Sequence, residues 1–339
     1  MGGPVTIGCR SDEADRGAAR IGAAVRLPSP RRALAHRRAA AEHQPAPFVV
    51  GVSRSGTTLL RLMLDAHPDL MIPAETHFVP MVANAVDRAI EEGEPTEVVR
   101  ERAMETMTGH PRWGDFRLDE ADVRARMEQH DPLSAGDAIR SFYEACAALE
   151  GKPRWGDKSP PYTYKAGRIQ QALPEAVFIH IIRDGRDVAL SLSEVSWGPD
   201  DITVAAEKWV SELRKARKRA RNLVRGTYME VHYEDLVTDP EPVLRKVADF
   251  AGLPWSDEML DYPERAAERM RGEMERTLKP LGGGTITAEE RTRQHQLVLE
   301  KPSASRAGRW KTEMSEENRK AFEEVAGGLL KKLGYEVAD

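Results

Sequence analysis

Apolar residues along the chain fall into two periods. Phe48, Val49, Val50 and Val52 form an unbroken apolar run, the pattern of a parallel strand buried on both faces. Ala176-Val177-Phe178-Ile179-His180-Ile181-Ile182 reads as a second buried strand, and residues 228–233 as a third. Each is followed by helical spacing: 57–64 after the first, 188–193 after the second, 240–252 after the third. Strand, turn and helix in repeated succession predict an α/β chain, a P-loop-like three-layer fold with a central, mainly parallel sheet flanked by helices. Four further helical stretches at 81–92, 96–108, 120–129 and 136–149, separated by polar breaks, predict a helical insertion at about 79–150. None of them is chemically loaded, so the insertion reads as a lid that sets substrate choice. Residues 205–224 form an amphipathic helix with a basic, solvated face, and 316–333 a terminal one. The polar stretch 276–300, interrupted by Gly282-Gly283-Gly284, reads as mobile.

Composition narrows the picture. A chain of 339 residues, 40% hydrophobic and 31% charged, has ample material for one α/β domain over 45–339. Its net charge of −5, with acids and bases interleaved, gives no reason to expect a nucleic-acid partner. Cys9 and Cys146 make neither a disulfide framework nor a metal site, so a reducing, cytoplasmic setting is expected. No apolar run approaches the ~20 residues a membrane span needs. Residues 1–44 are arginine-rich among Ala, Gly and Pro, without the apolar segment of a secretory signal, and read as a disordered tail.

The chemistry gathers at the ends of the predicted strands. Gly51-x-x-x-x-Gly56-x-Thr58 nearly matches the P-loop G-x-x-x-x-G-K-[ST], whose backbone N–H groups cradle phosphate at a helix N-terminus. Thr57 stands in place of the lysine that a kinase sets on the β/γ-phosphates, and Arg54 appears inside the loop. Such a loop suits a 5′-phosphate better than a metal-bridged triphosphate. Arg183 ends the second strand and Ser191 lies in the following helix, where the two can share a phosphate; alternatively Arg183-Asp184 and Arg186-Asp187 pair locally. Glu75 and His77 supply proton-transfer groups after the first helix. Lys158 lies in a polar, proline-braked loop, where a functional and a solvated reading weigh equally. Lys301, Arg306 and Arg309 make a late basic loop suited to an anion. His67 reads as a helix-terminus residue and Trp113 as a packing aromatic.

In order along residues 47–335, GVSRSGTTLLRLMLDAHP, ETHF, WGDKSPPY, FIHIIRDGRDVALSLS, VHYEDLV and KPSASRAGRW resemble the sulfotransferases that use 3′-phosphoadenosine 5′-phosphosulfate (PAPS). The resemblance is to the branch of tyrosylprotein sulfotransferases and bacterial small-molecule enzymes. It implies that Arg54, Ser55, Gly56, Thr57 and Thr58 hold the 5′-phosphosulfate, and Arg183 and Ser191 the 3′-phosphate. It further implies that Tyr233 and Arg309, with Arg306 and Lys301, contact the nucleotide. By the same resemblance Glu75 is the general base, Lys158 and Arg54 stabilise charge, His77 is the rival base, and no metal takes part. Apolar neighbours Ile72 and Phe78 are expected to raise the proton affinity of Glu75. The acceptor is then a small molecule or peptide, and a homo-oligomer stays open. Val195 stands where tyrosylprotein enzymes carry a further arginine. A P-loop small-molecule kinase and a non-catalytic nucleotide-binding protein are the alternatives.

Overall fold

The computed structural model describes residues 41–279 and 284–337. Most of the expected tail, and Gly282 and Gly283, lie outside them. The first strand, β1 (Ala46–Gly51), turns into α1 (Thr57–Asp65), and a two-residue strand β2 (Leu70–Met71) follows. The insertion comprises α2 (Val79–Glu91), α3 (Thr96–Thr108), α4 (Glu120–Met127) and α5 (Ala135–Leu149), close to the expected bounds. The starts of α4 and α5 are chemically marked. Asp119 accepts from Ala121 N before α4, and Ser134 and Asp137 form a reciprocal capping box at α5. Strands β3 (Arg154–Trp155) and β4 (Asp157–Lys158) precede α6 (Ala166–Ala172) and β5 (Ala176–Ile182). Then come α7 (Gly185–Ser193), α8 (Ile202–Ala220) and β6 (Tyr228–His232). The chain continues through α9 (Tyr233–Thr238), α10 (Pro240–Phe250), α11 (Pro263–Met274) and α12 (Ala288–His295), ending with α13 (Trp310–Glu313) and α14 (Glu316–Lys332).

The main sheet runs β4-β1-β5-β6, all parallel. Alternate strand residues enter different cores, which makes the three layers. Phe48, Val50 and Phe178 pack under the insertion with Phe78, Phe142 and Tyr143. Val49, Ile179, Ile181 and Val231 pack on the other side against Leu60, Met63, Leu236 and Val247. A third core joins α7, α8 and α14 through Val188, Trp209 and Phe322. No helix among the described residues is long and apolar enough to cross a membrane.

Two expectations change. The loop around Lys158 contains β4, whose register Val49↔Lys158 brings that lysine alongside β1. Two polar residues give no periodic signal, because this strand is held by backbone pairing to β1. The stretch read as mobile, 276–300, contains α12, started by Thr287 accepting from Glu290 N.

Candidate active site

At the carboxyl end of β1 the chain must turn sharply into α1. Gly51 and Gly56 permit this for different reasons. A Cβ on Gly51 would lie 2.7 Å from the Ile181 carbonyl oxygen of β5. Gly56 has φ +94°, and an added Cβ there would overlap the Tyr233 ring. No side chain caps α1, so its first-turn N–H groups remain available to an anion. Arg54 holds φ 70°, a conformation arginine rarely adopts, as part of the same turn. Ser55 is buried, with no hydrogen-bond partner for Oγ among the described residues.

The end of β5 faces this turn. Arg54 Nε donates to Ser191 Oγ (3.0 Å), and Arg183 Nη1 donates to the Arg54 carbonyl (3.1 Å). Arg183 lies 4.5 Å from the Tyr233 ring centroid, and its Nη2 donates to the Arg306 carbonyl (2.6 Å). Its Nε is buried without a partner among the described residues. Three arginines therefore converge here, Arg54, Arg183 and Arg306. Two carboxylates face the three cations, at long ion-pair distances: Asp187 is 3.8 Å from Arg183, and Glu194 is 3.7 Å from Arg306. Burial lowers the Arg54 pKa; Glu194 pulls it back up, while the like charges of Arg183 and Arg306 lower it further. The cluster is under-neutralised and suited to a polyanion.

The second helix is not a second open cradle. Asp184 caps α7 by accepting from Arg186 N, and Arg186 pairs with Asp184 (2.7 Å) and Glu323 (2.6 Å). Arg186 is thus structural, and only Arg183 reaches the cavity. The late basic loop is fastened above it: Asp187 accepts from Gly308 N (2.7 Å) and Trp310 N (2.9 Å), and Arg186 lies 3.4 Å from the Trp310 ring centroid. Lys301 and Arg306 line the cavity. Arg309, the expected nucleotide contact, does not; it pairs with Glu194 (2.7 Å) and, one turn on, Glu313 (2.5 Å).

Glu75 lines the same cavity, whose volume is about 1010 Å³, and meets Lys158 in the wall behind it. Lys158 Nζ is 2.6 Å from Glu75 Oε1 and 3.4 Å from Thr58 Oγ1 in α1. The lysine is wholly buried, which removes the solvated reading. Its WGDKSPPY neighbours fix the segment that carries Glu75. Thr76 Oγ1 donates to Asp157 Oδ2 (2.8 Å) and contacts Tyr162 OH (2.7 Å), and Thr76 N donates to Ser159 Oγ (3.1 Å). The residue between Glu75 and His77 is thereby locked, and His77 is held at φ 58°. His77 Nε2 and Arg112 Nη2 each lie 2.9 Å from Glu75 Oε2. Burial alone would raise the Glu75 pKa, as expected from Ile72 and Phe78. Instead Lys158, Arg112 and His77 together hold the carboxyl well below the usual carboxylate range.

Arg112 was missed because the insertion showed no chemical pattern. The available signal was an arginine in a His-Pro-Arg-Trp-Gly-Asp break, the same rigid-backbone context that marks Lys158. His67 is structural, bonded to the Pro254 carbonyl and Asp69 N, and Trp113 packs on Phe116 and Phe142. Met81, Pro111, Pro160, Trp197 and Leu297 contribute apolar surface to the cavity lining.

A family model described as the sulfotransferase family matches residues 45–257. A protein-tyrosine sulfotransferase of Drosophila melanogaster is 28% identical over 65% of this chain and 40% of its own length. Protein-tyrosine sulfotransferase 2 of Gallus gallus is 29% identical over 66% of this chain and 55% of its own. The chain thus spans about half the length of these curated relatives. Among solved structures, the sulfotransferase domain of the Synechococcus PCC 7002 olefin synthase aligns over 88% of this chain and 98% of its own, with 22% identity and a TM-score of 0.56. The sulfotransferase domain from the curacin biosynthetic pathway aligns over 87% and 99%, with 21% identity and a TM-score of 0.53. These structures share the three-layer α/β fold.

Proposed function

The chain belongs to the sulfotransferase family, and from that premise we propose that it transfers a sulfuryl group from PAPS to a hydroxyl or amine of a small-molecule or peptide acceptor. The observation that carries this reading is the shared cavity. An uncapped helix N-terminus and three under-neutralised arginines sit at one end, and a carboxylate paired with a buried lysine lies beside them.

The residues fit the donor. The 52–58 turn supplies N–H groups and Arg54 for the 5′-phosphosulfate; Arg183 and Ser191 suit the 3′-phosphate, with Arg306 taking the place expected of Arg309. Tyr233 packs against both Gly56 and Arg183, closing the floor between the two anion positions. In the reaction the acceptor's oxygen or nitrogen forms a bond to sulfur as the bond from sulfur to the 5′-phosphate oxygen breaks. That oxygen keeps the electron pair, releasing adenosine 3′,5′-bisphosphate. The acceptor proton passes to Glu75, work typical of a general base. Lys158, within reach of both Glu75 and Thr58, neutralises charge gathering on the departing oxygen. Because Lys158 and Arg112 hold Glu75 strongly ionised, the carboxylate becomes an effective base only as the lysine turns toward the donor. The apolar residues in the cavity lining favour an acceptor with an apolar body around its nucleophile.

Two measurements test this. Incubating the protein with PAPS and a library of metabolites and peptides should yield products heavier by SO₃ in mass spectra; adenosine bisphosphate binding without any sulfated product would leave only a nucleotide-binding protein. Single-turnover rates then separate the candidate bases. Glu75→Gln should abolish most transfer and His77→Ala should retain it, and the opposite result would make His77 the base.

A further inference from the structure

The two oxygens of Glu75 are divided between partners. Oε1 faces Lys158 at 2.6 Å, whereas Oε2 faces Arg112 and His77, each at 2.9 Å. Lys158 also lies 3.4 Å from Thr58 Oγ1, so one ammonium stands between the base and the anion cradle. A donor seated on α1 competes with Glu75 for it. Arg112 has no such second claimant among phosphate-binding groups. Its Nη1 points to Asp115, 3.8 Å away, whose side chain is 1% exposed. Asp115 in turn holds Arg291 (3.1 Å) and Arg276 (3.4 Å), tying Arg112's anchor to α12 and the segment before it.

Resting on the sulfuryl-transfer reading, we propose that Arg112 is a positioning residue for the base: anchored at Asp115, it holds Glu75 through Oε2 while Lys158 serves the donor, leaving Oε1 to take the acceptor proton. The charges around Glu75 give the reason. Lys158 faces it from β4, Arg112 from the insertion and His77 from its own loop, with Glu273 of α11 and His295 of α12 in the surrounding wall. Once Lys158 is drawn away, burial favours the protonated acid, and Arg112 is the arginine still opposing it. An acid that keeps its proton cannot accept another.

The test uses full-length protein labelled with ¹³C-carboxyl glutamate, saturated with adenosine 3′,5′-bisphosphate. The Glu75 signal is identified by its loss in Glu75→Gln. In the wild type it should stay ionised across the ordinary carboxylate range. In Arg112→Gln its midpoint should rise by at least about one pH unit, a tenfold change in protonation ratio, while Arg112→Lys restores most of the difference. Bisphosphate affinity should change less than about threefold, since the nucleotide groups lie elsewhere. If Arg112→Gln titrates like the wild type, or Arg112→Lys behaves like Arg112→Gln, the inference fails alone. No bisphosphate binding by the wild type would overturn the sulfuryl-transfer reading and this inference together.

Discussion

Replacing Arg183 with glutamine isolates one end of the nucleotide. The side chain already donates to two carbonyls, Arg54 at 3.1 Å and Arg306 at 2.6 Å, so its loss also loosens both loops. A single affinity would mix that loosening with the lost phosphate contact. The ratio of two affinities does not. Adenosine 3′,5′-bisphosphate and adenosine 5′-monophosphate share every group except the 3′-phosphate, and loop loosening penalises both. One charge-assisted hydrogen bond to the 3′-phosphate is worth about 1.5–3 kcal/mol, or roughly 10- to 150-fold. In calorimetry at fixed ionic strength, Arg183→Gln should cut the preference for the bisphosphate by that factor while weakening the monophosphate far less. Ser191→Ala should move the ratio in the same direction by less, because a neutral hydroxyl contributes about 0.5–1.5 kcal/mol. An unchanged ratio, or equal losses for the two ligands, would refute the assignment of Arg183 to the 3′-phosphate.

Gly56→Ala sets a Cβ against the Tyr233 ring at φ +94°; with about 1–2 kcal/mol of backbone strain alone, a lowered melting temperature and weakened bisphosphate binding are expected, and wild-type values in both would refute the close-packing argument. Lys158→Met should lower the single-turnover rate at saturating PAPS by about 10²–10³ and also weaken bisphosphate binding; rapid-quench kinetics showing near-normal transfer would remove the lysine from the mechanism. Asp157 is buried, and its pKa is pushed up to about 6, so its contribution is fully present below the unfolded value and is lost as pH rises through about 6. In urea unfolding the stability gap between Asp157→Asn and wild type should therefore shift in favour of Asn by up to about 3 kcal/mol from acid to neutral pH; a gap independent of pH would contradict this.

The strands that could be read from the sequence are those buried on both faces. Val49 and Phe48 enter opposite cores, so β1 shows an unbroken apolar run, and β5 does the same. Two of the insertion helices, α4 and α5, start sharply because Asp119 and Ser134 cap their first turns. What stayed hidden depends on pairing between distant segments. β4 exists only through its register with β1, and Lys158 is buried because Glu75 arrives from 83 residues away to meet it. Arg112 stands in a rigid proline-glycine break, but only the folded chain shows that it reaches Glu75. In the late loop, Arg306 and Arg309 are equally basic in sequence; only the placement of Glu194 and Glu313 shows which one is occupied elsewhere.

Arg183 is gripped on two sides while its buried Nε has no acceptor among the described residues. Such a side chain has surrendered its rotational freedom during folding, a cost of up to about 2 kcal/mol for arginine. A ligand oxygen arriving at that nitrogen completes an arrangement already standing and spends little on ordering it. Recognition at this point should accordingly draw on enthalpy, with a small entropic penalty.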